Sequence, residues 1–303
     1  MSHAQSPLSA TSHIAEEVTR QHYPASALYV VATPIGNVCD ISVRALHVLS
    51  TVDAIACEDT RNTGHLLRRY DVNKPLIAAH EHNEREAAET IIARLQLGER
   101  IALVSDAGTP AVSDPGARIV DAVRNAGLTV IPLPGASASV TALSASGLLN
   151  DQFYFIGFLP AKGRQRETAL QNLRDIPATL VFYEAPHRIT ETVDSLLSIL
   201  GPDRQIVLAR ELTKMFEHIH RCTLGEAPAW LNAEANRQKG EFVILVEGAP
   251  VQEHSADEAD HILSVLIAEL PVKQAAQLAA QLTGQKKNAL YDRALLLKAQ
   301  QDT

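Results

Sequence analysis

The chain has 303 residues, 46% hydrophobic and 20% charged, the profile of a globular protein of about two domains at roughly 150 residues each. That balance excludes a disordered tail, a collagen-like repeat and a disulfide-dense mini-protein. With 27 Lys and Arg against 35 Asp and Glu, a net charge of −8, it also excludes a general nucleic-acid coater and leaves room only for a locally basic face.

Residues 1–26 are polar, without an apolar core behind a basic start. They read as a mobile N-terminal extension and not as a signal peptide. From Ala27 on, short apolar runs alternate with helix-periodic segments, the pattern of an α/β layered fold. Leu28–Ala32, Ala54–Cys57, Leu76–Ala79, Ile101–Val104 and Thr129–Ile131 read as strands. Ile41–Leu49, Glu84–Leu97, Ile119–Ala126 and the small-residue stretch Ala138–Gly147 read as helices. This first α/β domain is placed at 27–150. A second, at 151–249, carries strands at Phe153–Ile156, Thr179–Tyr183, Ile206–Ala209, Glu217–Cys222 and Phe242–Val246, with helices around Thr168–Leu173 and Ile189–Leu200. Residues 250–260 read as a linker. Residues 261–303 are helical throughout, with Thr283-Gly284-Gln285 as the turn of a helix-turn-helix-like pair.

Loops at strand ends carry the candidate chemistry, because open α/β sheets bind ligands there. Ser105–Gly116, SDAGTPAVSDPG, holds two glycines, two prolines and two Asp residues that can grip an amine or a hydroxyl. Its plainer reading is a loop in which Asp114 caps the next helix and Pro115 opens it. Pro132–Ala138 ends the next strand in the same way. It falls short of a nucleophile elbow, having Ser139 where Gly is needed, which disfavours a serine hydrolase. Cys57-Glu58-Asp59-Thr60-Arg61 gathers two carboxylates and a guanidinium at one strand end, with helix capping as the plain alternative. His80-Glu81-His82 looks metal-like, but in an extended chain the two imidazoles point to opposite sides. No HExxH and no Cys pair completes a site, so no metal is expected. Walker and GxGxxG phosphate loops are also missing. The three cysteines stand far apart in sequence, which suits a reducing cytoplasm. Phe158–Arg166 is a basic loop with an aromatic entry. Residues 271–300 hold five Lys or Arg against one acid, a candidate RNA-contacting face in which Lys286 and Lys287 lead.

Taken in order and spacing, TPIGN (33–37), CEDTR (57–61), HNE (82–84), SDAGTPAVSDPG (105–116), PLPGASA (132–138), YEAPHR (183–188) and GEF (240–242) resemble the ribosomal RNA small subunit methyltransferase I family of the tetrapyrrole (corrin/porphyrin) methylase superfamily. The likeness spans about Ala27–Ala249, and the tail is similar to that family's helix-turn-helix extension.

The resemblance implies a class III methyltransferase with S-adenosylmethionine folded into a cleft between two α/β domains. It further implies in-line methyl transfer to a cytidine 2'-oxygen in the decoding region of 16S rRNA, on the small subunit, by a cytoplasmic homodimer. Glu58 and Asp59 become the first candidates for the base and Lys162 the runner-up. Arg61, His82, Asn83 and Glu84 are expected to position ribose and phosphate, with Arg164 as a further RNA contact. Cofactor contacts are expected from Pro34 and Gly36, from Asp106, Ala107, Gly108 and Thr109, from Pro134, Gly135, Ala136 and Ser137, and from Tyr183, Glu184, Pro186 and Arg188. The competing readings are a tetrapyrrole C-methyltransferase and a non-catalytic ribosome assembly factor.

Overall fold

In the computed structural model, which describes residues 7–250 and 256–301, the chain divides into two compact units, one up to Gly248 and one from Ala249. The first unit contains both sheets. Its first sheet is wholly parallel, so its inner strands are buried on both faces and read as continuous apolar runs. Ala54–Cys57 (β2) is buried at every position, and Ala27–Val31 (β1) at all but one. With Leu76–Ala78 (β3), Arg100–Val104 (β4) and Thr129–Leu133 (β5), the order across the sheet is β3-β2-β4-β1-β5. β5 runs two residues beyond the apolar run. Pro132 pairs with Val30 there, which is tolerated because β5 is an edge strand with no outer neighbour to supply.

Helices cover both faces. Val43–Thr51 (α2) and Thr60–Arg69 (α3) share one core with Tyr29, Ile55 and Val104. Glu84–Gln96 (α4) and Ala117–Asn125 (α5) share another with Leu28, Ile101 and Leu103. Since α2 follows β1 and α5 follows β4, neighbouring strands send their chains to opposite faces. The crevice beyond the carboxyl ends of β1 and β4 is therefore a topological switch point, the place where such sheets bind ligands.

The second sheet joins Phe153–Phe158 (β6), Thr179–Glu184 (β7), Gln205–Arg210 (β8), His218–Thr223 (β9) and Phe242–Val246 (β10) in the order β6-β7-β10-β8-β9. β6 and β7 are parallel, and the other pairings are antiparallel. The last strand in sequence thus lies at the centre. One face is covered by Gly163–Leu173 (α7), Ile189–Leu200 (α8) and Ala227–Ala233 (α9). The other receives Ala138–Ser146 (α6), whose Ala142 packs with Val181, Val207 and Val243. Its small side chains serve that close approach, and α6 packs with the second sheet although it precedes residue 150.

Three further expectations change. Residues 7–19 form a helix, Pro7–Thr19 (α1), in place of a mobile extension. Val18 is buried, the Tyr23 hydroxyl donates to the Val18 carbonyl at 3.0 Å, and the Tyr23 ring lies 4.7 Å from that of His47 on α2. Val18 is the one buried side chain among those described in this helix, too weak a periodic signal to read. Asp114 does not cap α5; Gly116, at φ 127°, occupies the N-cap. Residues 256–260 of the expected linker open the helix Ala256–Glu269 (α10), while 251–255 lie outside the described residues.

The second unit consists of α10, Val272–Thr283 (α11) and Lys287–Gln301 (α12) around Leu263, Ala276, Ala279 and Leu290. The turn is where the sequence places it, with Gly284 in the left-handed conformation at φ 70°. Arg293 Nε donates to Asp260 Oδ1 at 2.7 Å, so one of the five basic residues is tied to α10.

Candidate active site

The loop after β4 is the framework of the site. Thr33 and Gly108 exchange backbone hydrogen bonds of 2.8 and 3.0 Å across the switch point, and the Thr33 hydroxyl donates to the Ser105 carbonyl at 3.0 Å. The Thr109 hydroxyl donates to the Ala136 carbonyl at 3.0 Å and ties this loop to the turn after β5. Beyond that point the backbone is strained. Ala111 and Ser113 sit at φ 67° and 62°, a conformation that costs a residue with a Cβ about 1–3 kcal/mol and persists only when its surroundings enforce it. Glu84 enforces it. Its buried Oε1 accepts the Gly116 N–H at 2.6 Å, and Arg118 lies 3.8 Å from its Oε2. Glu84, expected to position substrate, is thus a loop anchor. Glu84→Ala orphans a buried N–H and is expected to cost about 1–3 kcal/mol, visible as a lower Tm, whereas Glu84→Gln keeps an acceptor and most of the stability.

This loop faces the second sheet across a cavity of about 340 Å³. The first half contributes Ile35, Ala107–Thr109, Val112–Asp114, Ser137 and Ala138; the second contributes Phe158, Tyr183–Pro186, Ala209, Leu212 and Glu241–Val243. Of the expected cofactor residues, Ala107, Gly108, Thr109, Ser137, Tyr183, Glu184 and Pro186 line it together. Pro34, Gly36, Asp106, Pro134, Gly135, Ala136 and Arg188 do not.

The reasons are local. A Cβ on Gly36 would stand 2.5 Å from Lys214 Cγ, and Asn37 N–H donates to Thr213 Oγ1 at 3.1 Å, so the TPIGN turn packs on the β8–β9 connection. Gly135 packs on Ala32. The Glu184 carboxylate is turned inward, accepting from the Ala185 N–H at 2.9 Å and the Thr192 hydroxyl at 2.6 Å, with Arg188 Nε at 3.3 Å. Arg188 also donates to the Leu159 carbonyl at 2.6 Å.

Glu58–Arg61 of CEDTR line a separate acidic groove with Ala78, His80 and Asp106. Asp59 caps α3, accepting from the Arg61 N–H at 2.7 Å and pairing with the Arg61 side chain at 3.2 Å, which holds its carboxyl below the usual range. Asp106 accepts from Asn62 Nδ2 at 2.8 Å and is spent on the same helix start. Burial, then Asp106 and Asp59, push the Glu58 carboxyl up. After β3 the chain turns instead of extending. Asn83 Oδ1 accepts the His80 N–H at 2.8 Å and its Nδ2 donates to the Ala78 carbonyl at 3.0 Å, which brings the His80 and His82 rings to 6.1 Å. Asn83 is therefore a turn residue, while His82 stays exposed. Among the described residues, no cluster of three or more His, Cys, Asp or Glu is placed to hold a metal. Lys162 and Arg164 are exposed at the start of α7, beyond the cavity-lining Phe158, and Lys286 and Lys287 are exposed in the second unit.

The sequence offers Asp114 as one of two Asp residues able to grip an amine or a hydroxyl but does not place it among the expected cofactor contacts, whereas it is a wall of the cavity. Ala209 and Leu212 gave no signal, being ordinary apolar strand-end residues. Lys214 was missed too; it bridges Glu211 and Glu241 at 3.0 and 2.6 Å.

Residues 27–228 match the family model of the Tetrapyrrole (Corrin/Porphyrin) Methylases, and residues 253–298 match the RsmI C-terminal HTH domain. Over 281 residues the chain is 51% identical to the Ribosomal RNA small subunit methyltransferase I of Escherichia coli O157:H7, covering 91% of this chain and 98% of that protein. The chain belongs to the ribosomal RNA small subunit methyltransferase I family. The family's Pseudomonas aeruginosa member is 50% identical over 274 residues, 89% of this chain and 97% of that protein. In fold, this family member matches cobalt precorrin-4 methyltransferase at 18% identity and a TM-score of 0.55, over 73% of this chain and 95% of that one. A uroporphyrin-III C-methyltransferase from Thermus thermophilus, complexed with S-adenosyl homocysteine, matches at 18% identity and a TM-score of 0.50, over 72% and 96% of the two chains.

Proposed function

We propose that this protein transfers a methyl group from S-adenosylmethionine to the ribose 2'-oxygen of a cytidine in the decoding region of 16S rRNA. It does so on the small subunit, as a cytoplasmic homodimer. What supports the reading most is the 51% identity, over 91% of the chain, to a protein named as a small-subunit rRNA methyltransferase.

The cavity suits the cofactor by its chemistry. S-adenosylmethionine has an apolar, flat purine and a cationic sulfonium but no phosphate. The walls offer apolar and aromatic side chains and the backbone of Ala107–Thr109 and Ser137–Ala138, with no phosphate cradle. When bound, it supplies an electrophilic methyl group. The protein's own task is orientation, and aligning oxygen, carbon and sulfur can contribute about 7–11 kcal/mol. The bonded framework of Thr33, Ser105, Gly108, Thr109 and Ala136 supplies the rigidity that this requires. Arg61, 87% exposed along its side chain, and the exposed Lys162 and Arg164 supply cations of this unit for RNA phosphate. Lys286 and Lys287 add phosphate contacts from the helical unit. No helix among the described residues is long and apolar enough to cross a membrane.

The test is methyl transfer from labelled S-adenosylmethionine to small subunits and to naked 16S rRNA, both from cells lacking the enzyme, followed by nucleoside analysis. The expected product is 2'-O-methylcytidine on subunits. Cofactor binding with no transfer to either RNA would overturn the reading and point to a tetrapyrrole substrate or an assembly factor.

A further inference from the structure

A 2'-hydroxyl attacks only as its proton leaves, and the group that takes the proton must stand within hydrogen-bond reach of an oxygen that is itself in line with the methyl group. The base must therefore line the same cavity as the cofactor. Three carboxylate residues do so: Asp114, Glu184 and Glu241. Glu184 is consumed by the Ala185 N–H, Thr192 and Arg188, and Glu241 is bonded to Lys214 at 2.6 Å. Tyr183, the remaining titratable wall, accepts the Ser139 N–H at 3.2 Å on its hydroxyl. Glu58 and Asp59 lie in the neighbouring groove.

Among the described residues, Asp114 pairs with no cation. It sits between Ser113, held at φ 62°, and the Pro115-Gly116 corner pinned by Glu84, so the strained segment has the effect of presenting this one side chain. Resting on the methyltransferase reading, we propose that Asp114 is the catalytic base that accepts the ribose 2'-hydroxyl proton. The oxygen lone pair then forms the new O–CH3 bond while the S–CH3 bond breaks and its electron pair stays on sulfur. Asp114 releases the proton to solvent before the next turnover.

The electrostatics agree. Burial pushes the Asp114 carboxyl up to about 6, opposed by a Ser105 hydrogen bond and assisted by the negative charges of Glu58 at the end of β2 and Asp106 at the end of β4. A base titrating there is ionised at neutral pH yet far more basic than a free carboxylate, the compromise that general-base catalysis favours.

The experiment compares wild type, Asp114→Asn and Glu58→Gln on small subunits across about pH 5–9, with S-adenosylmethionine affinity measured by calorimetry. Wild-type kcat/KM should rise with pH through an inflection near 6. Asp114→Asn should lose about 10²–10⁴-fold in kcat and the inflection with it, at unchanged cofactor affinity. Glu58→Gln should remain active with its inflection moved to lower pH, because a neighbouring negative charge has gone. An active Asp114→Asn, an inactive Glu58→Gln, or cofactor affinity that falls in step with kcat in Asp114→Asn would each overturn the assignment while leaving the methyltransferase reading intact. A wild type that methylates neither RNA would overturn both.

Discussion

Arg188→Ala is expected to destabilise the protein by about 3–5 kcal/mol, the cost of leaving a buried carboxylate without its cation. Glu184 is fully buried along its side chain and Arg188 is 18% exposed. Removing the guanidinium strands the carboxylate beside Thr192 and also frees the Leu159 carbonyl. At roughly 2–4 °C per kcal/mol for a unit of this size, the Tm should fall by roughly 6–20 °C. The resemblance alone places Arg188 among cofactor contacts; the structure makes it a support beneath them. Calorimetry well below the new midpoint separates the two roles. Cofactor affinity should stay within about threefold, under 1 kcal/mol, and adding Glu184→Gln should restore part of the Tm by removing the stranded charge. A large affinity loss in a fully folded variant would return Arg188 to the cofactor.

Gly135→Ala should have the opposite signature, a modest stability loss with a severe binding defect. The added Cβ would stand 2.6 Å from the Cβ of Ala32, an atom fixed to the backbone of the chain leaving β1, so the turn must move. Overpacking of this kind costs about 1–3 kcal/mol. The same movement shifts the Ala136 carbonyl that holds Thr109 and, with it, the wall of the cavity. Affinity for S-adenosylmethionine should fall by about tenfold or more, which is ~1.4 kcal/mol. Ala32→Gly removes the opposing methyl group, so the double variant should recover binding. If it does not, the close approach of these two chain segments is not what shapes the cavity.

These two residues show what a single sequence reveals. Buried parallel strands such as β2 and β4 are legible because β2 is apolar at every position and β4 at every position after Arg100. The loops beyond them are legible because glycine, proline and aspartate crowd there for conformational reasons. Strand order is not legible, since register is decided by distant partners. The roles of the carboxylates are hidden for the same reason. Glu84, Asp106, Glu184 and Asp114 all sit in motifs of similar look, and only the groups they meet divide them. Three are tied to an N–H, an amide or a guanidinium; Asp114 alone faces the cavity without a cation.

The central place of β10 constrains how the protein is made. On the ribosome, β6 and β7 emerge as a parallel pair, and β8 and β9 as a separate hairpin, with no hydrogen-bonded ladder joining one pair to the other. The seam closes only when Phe242–Val246 has been synthesised and slides between β7 and β8. The same insertion delivers Glu241, Phe242 and Val243 to the cavity wall. A nascent chain stalled before residue 242 therefore exposes unpaired strand edges and has no finished cofactor cavity. Completion of the second sheet and competence to bind cofactor arrive together, near the end of the first unit.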